Sequence, residues 1–415
     1  MIRRVTRIAA PAVALLIMLS CASGAEASKP RLAFAVLAGT VRSTADEAAT
    51  QRLLKAIGLD RQIAFVAYDG NLKSSTERCD DTLYARRQQV LETSRAPLVF
   101  IPGQYDWADC GSTQAGGYDV LERLDFLRQT FFAYNTSLGQ STLPLIRESE
   151  VARFHAYREN VLWQVEDTVF VGVNVVSGNN HYLTAGGRNG EYDDRAIATS
   201  FWLEHAAQYA RRHNAHALVI FEQADPSFKR YEHADRLSWL RFGRRLSRDG
   251  YLEYKRSLVK AAQTFRGPVI VIHETTAPLP HGFSIDQPLF DDKGERLANF
   301  TRIAIGPRDR SLQWVKIDVN FAKVPPLSVS VRQMPKGLPQ PPPMYPTPAE
   351  EAAPGLAPSA SGVMPAPLPF ASAPPAAPAS KPPFLLPGSN ETAPIAPTGQ
   401  AAASAPGSSS MQGGN

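Results

Sequence analysis

Several apolar runs in this sequence end in polar side chains of the types that bind metals or small polar ligands. The run PLVFIPG is followed by Gln104, Tyr105 and Asp106. Four other runs end in the same way, at Gly39-Thr40, Gly70-Asn71, Glu222-Gln223 and His273-Glu274. Carboxylates, amides and imidazoles are the usual protein ligands of divalent cations. Because the carboxyl ends of parallel strands meet at one edge of a sheet, we expect these residues to form one site.

The segments that must position this site alternate between strand and helix patterns. The strand patterns are RLAFAVLAG, QIAFVAYDG, PLVFIPG, ALVIFEQ and GPVIVIHE. Amphipathic helix patterns stand between them, among them RAIATSFWLEHAAQYARRHN and LEYKRSLVKAAQTF. NVLWQVEDTVFVGVNVV predicts two strands joined by a turn at Glu166-Asp167, and FTRIAIG with LQWVKIDVN predicts a closing hairpin. The alternation predicts an α/β fold with a mixed sheet system, in which the first three strands are parallel and later pairs are antiparallel.

The first 27 residues have the layout of a secretory signal peptide. Basic residues near the start precede an apolar run, and the sequence AEA precedes Ser28. This layout predicts cleavage near Ala27, and the apolar run is too short to predict a membrane span. Cys21 leaves a lipoprotein as the alternative. The mature protein is therefore expected to be periplasmic or secreted, without a stable membrane span.

The other end of the chain has a different composition. Residues 333–415 hold 21 of the 34 prolines and almost no charge. Such a segment buries too little apolar surface to offset its ordering entropy, so we predict a disordered tail whose partner is unknown. This leaves residues 29–332 as one folded domain.

Cysteine and charge usage restrict the function classes. After signal cleavage Cys79 and Cys110 remain, and an even pair in an exported chain predicts a disulfide, with two reduced thiols as the alternative. The formal net charge of +5 is too small to indicate nucleic-acid binding. The sequence also contains no Gly-x-Ser-x-Gly elbow, Walker loop or dinucleotide-binding glycine pattern.

The order of the polar strand ends resembles that of the calcineurin-like metallophosphoesterases, and the chain is similar to an exported bacterial branch of that family. The stretches GNLKSSTERCDD, PGQYDWADC, GRNGEY and HGFSIDQPL carry the resemblance, which covers most of residues 31–320. It implies a double β-sandwich flanked by helices, in which five loops hold two divalent metals such as Mn, Fe or Zn. Paired ions of this kind clamp the attacking and leaving oxygens in phosphate-ester hydrolysis.

At the positions of the family's metal ligands, this sequence carries few charged donors. Gly39 and Val41 stand where the resemblance implies an Asp and a His, and Asn71 stands in place of the bridging Asp. Gln104 stands at the Asn ligand, and Tyr105 stands at the position of the His that assists the leaving group. The metal motifs are therefore interpreted as degenerate.

Other side chains near these positions could rebuild a metal site. Asp69, Asp106, Glu222 and Glu274 each lie within two residues of a lost ligand, and His273 ends a predicted strand. The candidate metal ligands are Asp69, Asn71, Gln104, Glu222, His273 and His281, the last as the family's final His.

Each candidate also has an ordinary structural interpretation. Asn71 and Gln104 can hold turn backbone, and Tyr105 with Trp107 can pack over the loop. Lys73 is expected to be a surface lysine. The Gly-rich loop around residues 188–191 suits either an anion contact or a helix cap.

Two functions follow from these observations. The preferred one is an exported phosphoesterase-fold protein that is catalytically impaired and acts in binding or as a scaffold, with a phosphorylated or anionic small ligand as its partner. The alternative is an active metal-dependent phosphoesterase with a site rebuilt from Asp69, Glu222, His273 and His281.

Overall fold

The computed structural model describes residues 32–183, 189–226, 228, 249–291, 293–323 and 326–342. The predicted signal peptide, Cys21, Arg188 and the tail beyond residue 342 lie outside these residues. The strands are β1 (Leu32–Ala38), β2 (Ile63–Asp69), β3 (Leu98–Ile101), β4 (Ile146–Arg147), β5 (Val161–Val165), β6 (Thr168–Gly172), β7 (Ala217–Glu222), β8 (Val269–Glu274), β9 (Phe283–Asp286), β10 (Phe300–Ile305), β11 (Gln313–Val319) and β12 (Leu327–Gln333). The helices are α1 (Glu47–Ile57), α2 (Asp81–Glu92), α3 (Val120–Phe131), α4 (Ser177–Asn180), α5 (Gly190–Arg212) and α6 (Leu252–Phe265).

These strands form two mixed sheets, as the α/β prediction requires. Within the described residues, one sheet has the order β12-β11-β1-β2-β3 and the other has the order β4-β5-β6-β7-β8-β10-β9. In the first sheet β1, β2 and β3 are parallel, and in the second β6, β7, β8 and β10 are parallel. Antiparallel strands complete both sheets.

The two sheets pack face to face, and helices cover their outer faces. β1 illustrates the arrangement, because all seven of its residues are buried. Phe34 and Val36 face the second sheet, whereas Ala35 and Leu37 face the core beneath the first helices. This alternation follows from the two-residue period of a strand, and a strand buried on both faces requires a continuous apolar sequence.

Aromatic side chains fill the space between the sheets, and capped helices flank them. Phe34 of the first sheet contacts Phe170 of the second, with ring centroids 5.4 Å apart and near-perpendicular planes. On the outside, Asp80 begins α2 by accepting a hydrogen bond from Leu83 N, and Asp119 caps α3 in the same way. The second sheet packs against α5 and α6.

The predicted closing hairpin is wrong. β10 is parallel to β8 in one sheet, whereas β11 is antiparallel to β1 in the other. The other predicted antiparallel pair is confirmed, because β5 and β6 pair antiparallel on either side of the turn at Glu166-Asp167. The error concerns long-range pairing, which local apolar patterns do not specify.

The described structure extends a few residues beyond the predicted domain end. β12 is followed by Met334, whose side chain is buried and whose N–H bonds to Leu312 O at 2.7 Å. Leu338 packs against the same core. None of the helices in the described ranges combines the length and apolarity needed to cross a membrane.

Candidate functional site

The five polar strand ends meet at one edge of the two sheets. Asn71, after β2, donates to Glu274 Oε2 at the end of β8 at 3.3 Å. The amide of Gln104, after β3, donates to Gln223 Oε1 after β7 at 3.2 Å. We call six side chains at this edge the strand-end cluster, of which five are buried and Arg310 is partly exposed: Asp69, Asn71, Glu222, His273, Glu274 and Arg310.

Glycines after the first three strands let the two sheets approach closely at this edge. A β-carbon on Gly39, which has φ +53°, would lie 2.9 Å from Glu274 Oε1 and 3.2 Å from an Arg310 nitrogen. A β-carbon on Gly70, which has φ +74°, would lie 2.3 Å from Gln223 Cγ. The protein's own side chains therefore fill the space where the strand-end loops converge.

The amide candidates hold the surrounding turns in place. Asn71 Oδ1 accepts a hydrogen bond from the Tyr105 amide at 2.9 Å. Gln104 Nε2 donates to both carboxyl oxygens of Asp109, at 3.0 and 3.1 Å. Gln223 Oε1 also accepts from Ser177 N at 2.9 Å. These contacts match the structural interpretation of Asn71 and Gln104, since the amides are bonded to neighbouring loops.

Asp106 and Lys73 lie just behind these turns. Asp106 accepts hydrogen bonds from Leu72 N at 2.5 Å and Gly103 N at 2.8 Å, and it is fully buried. Burial raises the pKa of Asp106, although those two amides favour its charged form. The expectation of a surface Lys73 is wrong, because the side chain is 1% exposed and Nζ donates to Ser74 O. Burial lowers the pKa of Lys73.

Asp69 and Glu222 are the carboxylates of the cluster with uncommitted oxygens. Both side chains are fully buried, and among the described residues neither makes a hydrogen bond of ordinary geometry. Burial raises the pKa of Asp69 well above its usual value, and the charges of Glu274 and Glu222 add to the effect. Burial likewise raises the pKa of Glu222, which the nearby Tyr254 hydroxyl opposes. Both carboxyls are therefore held toward the neutral form at this edge.

The two histidine candidates lie in different environments. His273 is fully buried, its Nδ1 lies 2.7 Å from Glu274 O, and its Nε2 lies 3.7 Å from Asp225 Oδ1. Burial lowers the pKa of His273 and favours the neutral ring. His281 is exposed on the turn before β9, and no hydrogen bond or ion pair joins it to the described residues of the cluster. His273 is next to Glu222 in the β7–β8 register, and among the described residues no hydrogen bond or ion pair joins either histidine to Asp69, Asn71 or Gln104.

Sequence reasoning missed Arg310, which supplies the positive charge of the cluster. Its Nη1 donates to Glu274 Oε1 at 2.6 Å and to Ala38 O at 2.7 Å, and its Nη2 donates to Thr275 O. Glu274 is 3% exposed, and burial raises its pKa against the opposing charge of Arg310. The run Arg308-Asp309-Arg310 after β10 was the available signal, since arginines in a loop at a polar sheet edge suit ion pairing.

The aromatic and cysteine residues of the third loop have structural roles. Trp107 is fully buried and donates to Asn174 Oδ1 at 3.2 Å, which supports packing over the loop. Tyr105 is half-buried at the cluster's rim. The predicted disulfide is confirmed, because Cys79 and Cys110 are bonded with Cα atoms 5.7 Å apart. It fastens the loop after β3 to the segment that precedes α2.

The loop before α5 contains a helix start and no contact with the cluster among its described residues. Asn189 Oδ1 and Nδ2 bond to the backbone of Leu183 at 2.8 and 2.9 Å. Glu191 pairs with Arg195 and lies 3.1 Å from His181 Nδ1. Glu191 and Asp193 give α5 an acidic first turn, as expected at a helix start, but the Asn189 side chain makes no capping hydrogen bond to the helix.

The donors of the cluster do not fit a pair of divalent ions. Across the described ranges, no group of three or more His, Cys, Asp or Glu side chains is arranged to hold a metal ion. Gly39 offers no side-chain ligand, and Asn71 is neutral and bonded to Tyr105 and Glu274. The Arg310 guanidinium occupies the charged contact to Glu274. A second cation beside this guanidinium would be repelled. The metal-ligand set remains a prediction.

Comparisons with known proteins give distant structural similarity. No family model matches the chain, and no curated protein matches it. A solved structure of GAP50, "the anchor in the inner membrane complex of Plasmodium", matches at 12% identity with a TM-score of 0.39, over 75% of this chain and 87% of that one. A purple acid phosphatase from yellow lupin (Lupinus luteus) seeds matches at 11% identity with a TM-score of 0.39, over 74% of this chain and 52% of that one.

Proposed function

We propose that this chain is an exported phosphoesterase-fold protein that is catalytically impaired and acts in binding or as a scaffold. The main support is that Arg310 supplies the cationic partner of the strand-end cluster. The guanidinium lies 2.6 Å from Glu274 Oε1 and beside Gly39, so a protein side chain provides the positive charge that the family resemblance would assign to a metal. In addition, Asp69, Glu222 and His273 are all fully buried, which keeps them from substrate in solution.

Export is part of this proposal. The disulfide between Cys79 and Cys110 is compatible with an oxidising compartment, where such bonds persist. The layout of residues 1–27 supports a cleaved signal peptide. Detection of a mature N-terminus near Ser28 in periplasmic or culture fractions would support export, and retention of residues 1–27 in a cytoplasmic product would contradict it.

An active phosphoesterase remains the second candidate because Asp69 and Glu222 carry uncommitted carboxyl oxygens. A screen of phosphomonoesters and phosphodiesters with added Mn²⁺, Fe²⁺ or Zn²⁺ separates the two functions. Under the proposed function, the mature protein and an Asp69→Asn control show the same background rate. Metal-dependent turnover by the mature protein that Asp69→Asn abolishes would establish the second function and overturn the proposal.

A further inference from the structure

A separate pocket opens on the solvent side of Arg310. It has a volume of about 410 Å³, which suits a small organic ligand. The described residues around it include Arg42, Arg308 and Arg310, with Thr276, Pro278 and Pro307 between them. The pocket lies at the same sheet edge as the strand-end cluster, and Arg310 forms the wall between the two.

The charges of this pocket favour an anion. Arg42 and Arg308 are exposed, and within the described part of the chain neither guanidinium forms an ion pair. Arg310 is held rigidly by Glu274 and Ala38, and 12% of its side chain is exposed. Guanidinium groups bind phosphate and carboxylate oxygens through paired, charge-assisted hydrogen bonds.

The two acids at the rim are already used to build its loops. Asp46 Oδ2 accepts hydrogen bonds from Arg42 N at 3.1 Å and Ser43 Oγ at 2.9 Å. Asp309 Oδ1 accepts from both the amide and the hydroxyl of Ser311, at 3.0 and 2.6 Å. These carboxylates therefore orient the loops that carry the arginines, and they leave the guanidinium groups of Arg42 and Arg308 available.

We propose that this pocket binds a small organic dianion, either a phosphate monoester or a dicarboxylate. Arg42 and Arg308 contact the charged group from solvent-exposed loops, and Arg310 fixes its position from the protein side. The pocket walls at Pro278 and Pro307 contact the uncharged part of the molecule. This inference rests on the proposed binding function and gives it a site and a ligand class.

The test is calorimetric titration of the mature protein in EDTA with inorganic phosphate, glycerol 2-phosphate and succinate as separate probes. We expect saturable binding of phosphate or succinate that weakens as NaCl is raised. The Arg42→Gln/Arg308→Gln variant should lose about tenfold or more in affinity, as the loss of charge-assisted hydrogen bonds implies. The matched control is Arg61→Gln. Arg61 is exposed and precedes β2, at the opposite end of the strand from the pocket, so this variant should bind like the wild type.

The outcomes separate this inference from the proposed function. Absence of binding up to millimolar probe, or equal affinity in the double arginine variant and the wild type, overturns the pocket assignment alone. In a parallel titration with Mn²⁺ in place of EDTA, binding that requires Mn²⁺, is lost in Asp69→Asn and is unchanged in the double arginine variant overturns both. Unchanged thermal unfolding of the double arginine variant shows that its loss of binding comes from the site.

Discussion

The ion pair between Arg310 and Glu274 gives the sharpest test of how the strand-end cluster is stabilised. Replacing Arg310 with Met removes the partner of a carboxylate whose side chain is 2% exposed. It also removes the hydrogen bonds that the Arg310 guanidinium donates to Ala38 O and Thr275 O. Breaking one side of a buried pair costs about 3–5 kcal/mol of unfolding free energy. For a domain of this size the thermal midpoint should fall by roughly 5–8 °C.

A double-mutant cycle isolates this pair. Glu274→Gln removes the charge that Arg310→Met leaves unpaired, so the double variant should be more stable than the sum of the single changes predicts. The expected coupling is about 1–3 kcal/mol, measured by urea unfolding with tryptophan fluorescence and far-UV circular dichroism. Arg256→Met is the matched control, because its helical pair with Glu253 is half-exposed and should cost less than about 1 kcal/mol. A cost below about 1 kcal/mol for Arg310→Met, or strict additivity in the cycle, would refute the reasoning.

Three further predictions follow from other contacts. Replacing Cys79 and Cys110 with Ala should cost about 3–4 kcal/mol in urea unfolding, since their bond closes a loop of 31 residues, and an equal loss in the reduced wild type would confirm the cause. Gly70→Ala should lower the thermal midpoint, because its β-carbon would clash with Gln223 at φ +74°, whereas Gly190→Ala, with open space around it, should not. Burial raises the pKa of Glu148 from 4.5 to about 9, so the stability that its protonated form contributes is present below pH 4.5 and is lost as the pH rises toward 9. Glu148→Gln should flatten the fall in thermal midpoint over that range, and an unchanged slope would contradict the assignment.

The sequence predicts the central elements because their patterns are local. α6 begins and ends where the pattern LEYKRSLVKAAQTF does, at Leu252 and Phe265, and β1 falls within RLAFAVLAG. Both are long segments with clear burial on one or two faces. α5 begins at Gly190, five residues before its predicted start, because polar first-turn residues do not show helical periodicity.

Pairing between distant strands could not be predicted in the same way. β10 and β11 are neighbours in sequence but belong to different sheets, and nothing in their alternation specifies β8 and β1 as partners. β4 has two residues and β9 has an exposed face, so neither has a strong strand pattern. These elements depend on contacts that the finished sheets provide.

The candidate site shows the same limit. The polar strand ends are visible in the sequence, but the position of Arg310 depends on the return of the chain after β10, 36 residues beyond Glu274. The surface assignment of Lys73 failed because lysine is usually exposed, whereas here three acids near its ammonium, at Asp106, Glu77 and Asp109, favour its charged form in a buried position. Asp69 and Asn71 are two residues apart, a spacing that places side chains on the same face of a regular strand. The positive φ of Gly70 between them breaks that alternation.

The metal content of the purified mature protein, after loading with Mn²⁺ or Fe²⁺ and exhaustive dialysis, shows directly whether the strand-end cluster holds metal. We expect well below one equivalent by elemental mass spectrometry, with the same value in Asp69→Asn and Asn71→Ala variants. Retention of about two equivalents that those substitutions remove would contradict the claim that Arg310, and not a metal pair, supplies the positive charge at the strand-end cluster.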